Sequence, residues 1–354
     1  MTETSLTQAT IAAGHAPPRG PLAGTGVAED GFAALRTEIR EAGLLRPRPR
    51  WYARSIAGCA LAAAGLGTVM VALGPSWWQL AAAAAAAVLS AQVAFLGHDA
   101  GHLQIARSRR VNRWVGLVLG NLLTGMSLEW WTGKHNKHHA HPNDVARDPD
   151  VGPGVIVWTA AQAAGRQRPL TRWLTRHQAG LFFPLLLLEG VNLNVSSVRH
   201  VRANRSPAVE KVLLGLHYVG YLGFVLAVMP PWQAVAFVAV HQALFGLYLG
   251  SAFAPNHKGM PMPPPGVSWG HLHQQVLTSR NVTGSPVTDW VLGGLNYQVE
   301  HHLFPSMPRP NLRAAQPVVR RHCARLGLPY SEQSALRSYQ RSLRHLAEAG
   351  NQPR

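Results

Sequence analysis

SIAGCALAAAGLGTVMVALGPSWWQLAAAAAAAVLSAQVAFLGHDAGH, residues 55–102, decides the fold. From Ser55 to Gly97 it contains no Asp, Glu, Lys or Arg. One membrane-crossing helix needs roughly 20 apolar residues. The stretch therefore holds two, with Gly74-Pro75-Ser76 as the break between them. The pattern recurs from Val212 to His257, again without a formal charge, around Met229-Pro230-Pro231. Four spans are expected, at about 54–73, 77–97, 211–229 and 232–253. The alanine run 81–87 suits close helix packing, and genomic base bias explains it equally well.

Charge orients the hairpins. The net charge is +17. Arg46, Arg48, Arg50 and Arg54 precede the first span, Arg107, Arg109, Arg110 and Arg113 follow the second, and Arg199, Arg202, Arg205 and Lys211 precede the third. Neither turn is charged. The positive-inside rule then places the flanks, and both termini, in the cytoplasm of a multi-pass cell-membrane protein. Basic residues placed beside spans argue against a nucleic-acid partner. They suit anionic lipid head groups and an acidic electron-donor protein.

Two apolar segments are too short to cross. Val111–Leu128, with Arg113 near its start, and Leu181–Leu188 read as helices in or partly into the interface. Residues 1–31 form a small, polar, disordered tail, residues 32–330 the membrane domain, and 331–354 a C-terminal tail. Phe32, Leu35, Ile39 and Leu44 mark an amphipathic helix approaching the membrane. Cys59 and Cys323 are far apart and match no zinc or disulfide pattern. No signal-peptide core is evident in residues 1–50.

The 18 histidines carry the chemistry. HDAGH places His98 and His102 on one helix face at the end of the second span. HNKHH does the same for His135, His138 and His139, and QVEHH for Gln298, His301 and His302. His257 stands just past the last span. If residues 111–128 do not cross, all of these emerge at one membrane face. Imidazole suits zinc, copper, iron and nickel. Eight histidines exceed the three or four ligands of one zinc site, so the set fits two metals, with di-iron and dicopper both open. The fold class is an all-α integral membrane protein: two transmembrane hairpins under a cytoplasmic, histidine-rich helical cap.

HDAGH, HNKHHAHPN and QVEHHLFP, in this order around two hairpins, resemble the membrane fatty acid desaturase family over roughly residues 32–330. FAPNHKGMP and LTSRNV are similar to bacterial members of its front-end, acyl-lipid branch. The resemblance implies two non-haem irons held by His98, His102, His135, His138, His139, His257, His301 and His302. Gln298 stands where many members have histidine, and three roles stay open: weak ligand, partner of a bound water, or neither. The implied reaction uses O₂ to introduce a double bond, usually cis, into an acyl-lipid or acyl-thioester chain. Some relatives carry a fused haem domain marked His-Pro-Gly-Gly. That motif is absent here, so a separate ferredoxin or cytochrome-type donor with its reductase is expected. The competing readings are a di-iron lipid hydroxylase, ketolase or epoxygenase, and a non-enzymatic metal transporter or sensor.

Glu129 and Glu300 divide evenly between orienting imidazoles and structural charge. Asp99 is expected to point away from the metals, and Asp144, Asp148 and Asp150 to be structural. His271 and His273 are incidental. His217 and His241, mid-span, need partners and are expected to pair across the second hairpin. Trp130, Trp131, Trp269 and Trp290 read as interfacial anchors rather than channel walls.

Overall fold

A computed structural model describes residues 25–203, 206–264 and 266–351. In chain order the helices are α1 (Thr25–Glu41), α2 (Pro49–Leu73), α3 (Gln79–Gly101) and α4 (Arg109–Gly116). A π-helical segment, Leu117–Thr124, leads to α5 (Leu128–Ala140), α6 (Ala160–Ala164), α7 (Pro169–Leu186), α8 (Glu189–Ala203), α9 (Ala208–Val228) and α10 (Pro231–His257). The C-terminal part holds α11 (His271–Leu277), β1 (Asn281–Thr283), α12 (Pro286–Val291), α13 (Gln298–Leu303), α14 (Arg309–Arg325), β2 (Glu332–Ser334) and α15 (Ala335–Gly350).

Among the described residues, α2, α3, α9 and α10 are long and apolar enough to cross a membrane. They fall where the uncharged stretches placed them, because nothing but the turns interrupts helix formation there. α2 and α10 start on proline, whose missing N–H costs nothing in a first turn. α2 ends at Gly74, at φ 51°, a conformation glycine adopts without a Cβ clash. Gln79 Nε2 donates to Met70 O at 2.7 Å and to Gly74 O, closing the first turn. Gln233 Nε2 donates to Pro75 O at 3.0 Å, so the two turns lie side by side. The opposite ends of α3 and α10, which carry the histidines, are thereby brought level with each other.

α3 and α10 form the centre of the bundle. Ala87, Ala91 and Phe95 pack against Phe245, Leu249 and Ala252. α2 and α9 are peripheral and turn Leu61, Val71, Val219 and Leu226 outward, as lipid contact requires.

Residues 111–128 stay short, whereas Leu181–Leu188 lies at the bend of a longer helix pair that is together long and apolar enough to cross. The π-helical segment stops at Gly125, φ 69°, and the chain returns through Ser127, whose hydroxyl accepts from Trp130 N and caps α5. Glu210, buried at the start of α9, accepts from Ser127 Oγ at 2.6 Å and from Glu129 N at 3.0 Å. A carboxylate at a helix N-terminus is favoured by the dipole, and this one fixes the direction of the HNKHH helix. α7 and α8 are bent by 78° at a break that includes Leu187 and Leu188, and together form the one further candidate span among the described residues.

Three expectations change. The amphipathic helix α1 exists, but Leu35 and Ile39 bury against Leu272, Phe304, Leu312 and Val319. It is part of the cap core rather than a membrane approach. The segment read as a disordered tail is helical from Thr25; the expectation for residues 1–24 lies outside the described residues. The C-terminal tail is folded: β2 pairs parallel with β1, and α15 packs on α7 and α10 through Leu346 and Ser342.

α8 and α10 cross with their backbones in contact. A Cβ on Gly246 would lie 2.3 Å from Gly190 N and 2.6 Å from Leu186 O. Gly246→Val is therefore expected to destabilise by about 1–3 kcal/mol or more, read as a lowered melting temperature in detergent. Gly223→Val, where a Cβ meets nothing within 4 Å, is the control. Equal melting temperatures would refute the crossing.

Candidate metal centre

Four elements deliver the imidazoles. The end of α3 supplies His98 and His102, with ring centroids 4.7 Å apart. α5 supplies His135, His138 and His139, the last residue of α10 is His257, and α13 carries His301 and His302. All are buried except His135, which is partly exposed.

They sort into two groups. His98, His102, His135 and His301 each offer a ring nitrogen, all within 4.8 Å of one another. His138, His257 and His302 do the same. His139 joins the two: its ring stacks on His302 at 4.1 Å and stands 4.6 Å from His102. The convergence expected from spacing is thus present in full.

Hydrogen bonds aim the rings of the second group. His138 Nδ1 bonds Asp148 Oδ2, His257 Nδ1 bonds Thr278 O, and His302 Nδ1 bonds Gln275 Oε1, each at 2.9 Å. Each bond leaves Nε2 facing inward. His138 Nε2 and His257 Nε2 are 3.3 Å apart, and His135 Nε2 and His139 Nε2 are 3.0 Å apart. His98, His102, His301 and His302 each bury an Nε2 without a hydrogen-bond partner, as His139 does its Nδ1. Buried polar atoms are almost always satisfied. Metal cations would satisfy these, so the donor set fits metal ions at both groups.

Electrostatics agree. Burial first, then neighbouring imidazoles, push His135, His139, His301 and His302 well below the ordinary histidine value. Burial, then His138, brings His102 down to about 3. Neutral imidazoles have the free lone pairs that a metal needs.

Gln298 lies at the second group. Its Nε2 is 2.9 Å from His257 Nε2, and its Oε1 accepts from Asn256 Nδ2 at 3.1 Å.

Several residues depart from expectation. Asp148 is no bystander: besides His138 it accepts from Asn143 N at 2.8 Å, tying the HPN turn to the site. Asp150, 3.5 Å from His138 Nδ1, is held low by Lys134 against the opposing effect of burial. Trp131 stacks on His135 at 4.4 Å and contacts His98 at 5.2 Å, so it walls the site rather than anchoring the interface. Asp99 pairs with Arg309 at 2.7 Å and lies 3.5 Å from His98 Nδ1. Glu300 touches no imidazole: it accepts from Tyr330 Oη at 2.6 Å and Asn281 Nδ2 at 2.7 Å, and burial raises it to about 7. Glu129 is exposed, 4.0 Å from His200 Nε2. His271 packs on Phe32, and His273 joins neither group. His217 and His241 do not pair with each other. His217 Nδ1 bonds Leu122 O, and His241 bonds Tyr221 Oη and Ser90 Oγ.

Arg280 stands in the LTSRNV stretch, but the sequence gave it no role. It is fully buried, and its guanidinium bonds Pro255 O, Lys258 O at 3.0 Å and Ser338 O at 3.2 Å. Its N–H donates to Asn256 O at 2.8 Å. The Pro255, Asn256 and Lys258 carbonyls flank His257, so a buried cation closes the end of α10 and seats that histidine.

Comparison with known proteins follows the same lines. Residues 75–334 match the fatty acid desaturase family model. A Delta(8)-fatty-acid desaturase of Helianthus annuus is 29% identical over 91% of this chain and 74% of its own. An acyl-lipid (9-3)-desaturase of Physcomitrium patens is 34% identical over 72% of this chain and 50% of its own. A Delta(5) fatty acid desaturase of Caenorhabditis elegans is 31% identical over 84% of this chain and 69% of its own. The chain thus spans about half to three quarters of the length of these relatives.

Two measurements probe the cage. Asp148→Asn is expected to weaken metal affinity about 10–100-fold, read by metal analysis after dialysis against a chelator series; unchanged retention would refute its orienting role. For the metal-free protein, His102, His135 and His301 titrate lower when folded than the ordinary 6.5, so the unfolded chain takes up protons first as pH falls. Stability is complete above that value and declines below it. A melting temperature independent of pH between about 8 and 5 would contradict the buried, neutral assignment.

Proposed function

The chain belongs to the fatty acid desaturase family, and from that premise we propose that it is a membrane oxidoreductase that uses O₂ to place a double bond in a fatty acyl chain. The observation that carries this reading is the cage itself: seven histidines in two groups, an eighth between them, and five buried ring nitrogens without a partner.

His98, His102, His135 and His301 would hold one iron, and His138, His257 and His302 the other, with His139 between. Two irons there would supply the oxygen chemistry that removes hydrogens from an unactivated methylene pair, which acid–base side chains cannot do. The protein's own contribution is positional. Asp148, Thr278 and Gln275 fix ring orientation. Burial excludes water, and Trp131 and Phe253 place apolar rings beside His98.

The substrate is an acyl chain carried by a lipid or thioester. The relatives' names share fatty acyl desaturation and differ in double-bond position. Electrons come from a separate ferredoxin or cytochrome-type protein with its reductase, and the net charge of +17 suits an acidic donor. The histidine end faces the cytoplasm, because basic residues flank that end and neither turn is charged.

The test is expression in a host supplied with defined fatty acids, followed by gas chromatography and mass spectrometry. A product two hydrogens lighter is expected; one that retains an added oxygen would replace desaturation by hydroxylation. His138→Ala should lower product by at least about 100-fold, with His273→Ala, outside the cage, retaining it. Wild-type product from His138→Ala would sink the assignment.

A further inference from the structure

A groove of about 900 Å³ lies between α2, α3 and the cap. Gly58 and Ala62 give it depth along α2. On α3 its lining runs from Ala85 to Leu96. At 1.5 Å per residue that is about 16 Å, close to half of a roughly 30 Å hydrocarbon core. The apolar part therefore matches one leaflet. The cap closes one end with polar groups, among them Arg309, Arg313 and Tyr297.

No cage histidine lines this groove. Val88, Gln92 and Leu96 line it, whereas Ala91, Phe95, His98 and His102 recur on a neighbouring face of the same helix. Phe95 is buried against the chain at Gly293, where a Cβ would lie 2.4 Å from its ring. A molecule in the groove is thus walled off from the metal site.

The polar end suits an anion. Arg309 has a buried Nε without a hydrogen-bond partner and one terminal nitrogen on Asp99. Arg313 is half-exposed, and Asp289 and Tyr297 engage only its Nε. Guanidinium forks match phosphate oxygens. Arg48, Arg50 and Arg54 at the start of α2 add positive charge near this end of the hairpin.

We propose that the groove binds one anionic phospholipid from the leaflet on the histidine side, its acyl chain along α2 and α3 and its phosphate at Arg309 and Arg313. This lipid is resident and distinct from the chain that reacts. Because Arg309 pairs with Asp99, 3.5 Å from His98 Nδ1, the head-group site adjoins the metal cage.

The test uses full-length protein in nanodiscs of mixed phosphatidylglycerol and phosphatidylcholine, with retained lipid identified by native mass spectrometry. Retention of one phospholipid per chain is expected, with phosphatidylglycerol preferred about fivefold. Arg313→Gln should abolish that preference. Gly58→Leu with Ala62→Phe fills the groove, and a Cβ at Gly58 meets nothing within 4 Å. This variant should lose most retained phospholipid while its iron content and melting curve stay at wild type. Undiminished retention in the filled variant, or no anionic preference in the wild type, would overturn the proposal. So would loss of desaturation at normal iron content, with acyl substrate as the retained molecule, since the groove would then be the reacting chain's channel.

Discussion

Buried imidazoles that turn ring nitrogens toward one another, five of them without a hydrogen-bond partner, are the constraint on which the molecule turns. His301 and His302 are held neutral by burial and then by neighbouring imidazoles, and several of the set bury a nitrogen that no protein atom satisfies. In a metal-free interior such atoms cost free energy individually, and the costs fall in one place. Metal ligation would reverse their sign. Folding of the cap and loading of the site are therefore linked, because a cation that binds only the assembled cage stabilises the assembled state.

The bundle exists to bring that cage to one level. Contact between the turns, through Gln233 and Pro75, sets the relative height of the hairpins. The far ends of α3 and α10 then deliver His98, His102 and His257. Two buried charges complete the alignment. Glu210 accepts the N-terminal groups of α5, and Arg280 donates to the C-terminal carbonyls of α10. Each has the sign that a helix end favours. Both sit where the alternative is an unsatisfied backbone group beside a ligand-bearing helix.

Spans and histidine groups were legible because their signals are local. An uncharged stretch of two helix lengths, or histidines three and four apart, fixes a face without tertiary information. What escaped depends on distant partners. Asp148 looked structural until the HPN turn brought it under His138. Arg280 gains meaning only when α10, α15 and the segment that leads into β1 meet. Trp131 is of a residue type common at membrane interfaces, and its stacking on His135 follows from the same four-residue helix spacing that groups the histidines. α1 had the expected periodicity, but periodicity names a buried face and not what covers it. Its apolar face met the cap.

The alanine run shows why one helix carries several duties. Ala82, Ala83, Ala87 and Ala91 are buried in the bundle, where a larger side chain would push α3 away from its neighbours. Ala81 and Ala85 are exposed, so close packing explains only part of the run. On the buried face small residues let α3 approach α10, which sets the distance between the two histidine groups. On the groove face Ala85 and the small residues of α2 leave room instead of filling it. The same helix thus presents a packed face that ends in ligands and an open face toward the bilayer. Asp99 and Arg309, at their junction, are the polar contact through which one face adjoins the other.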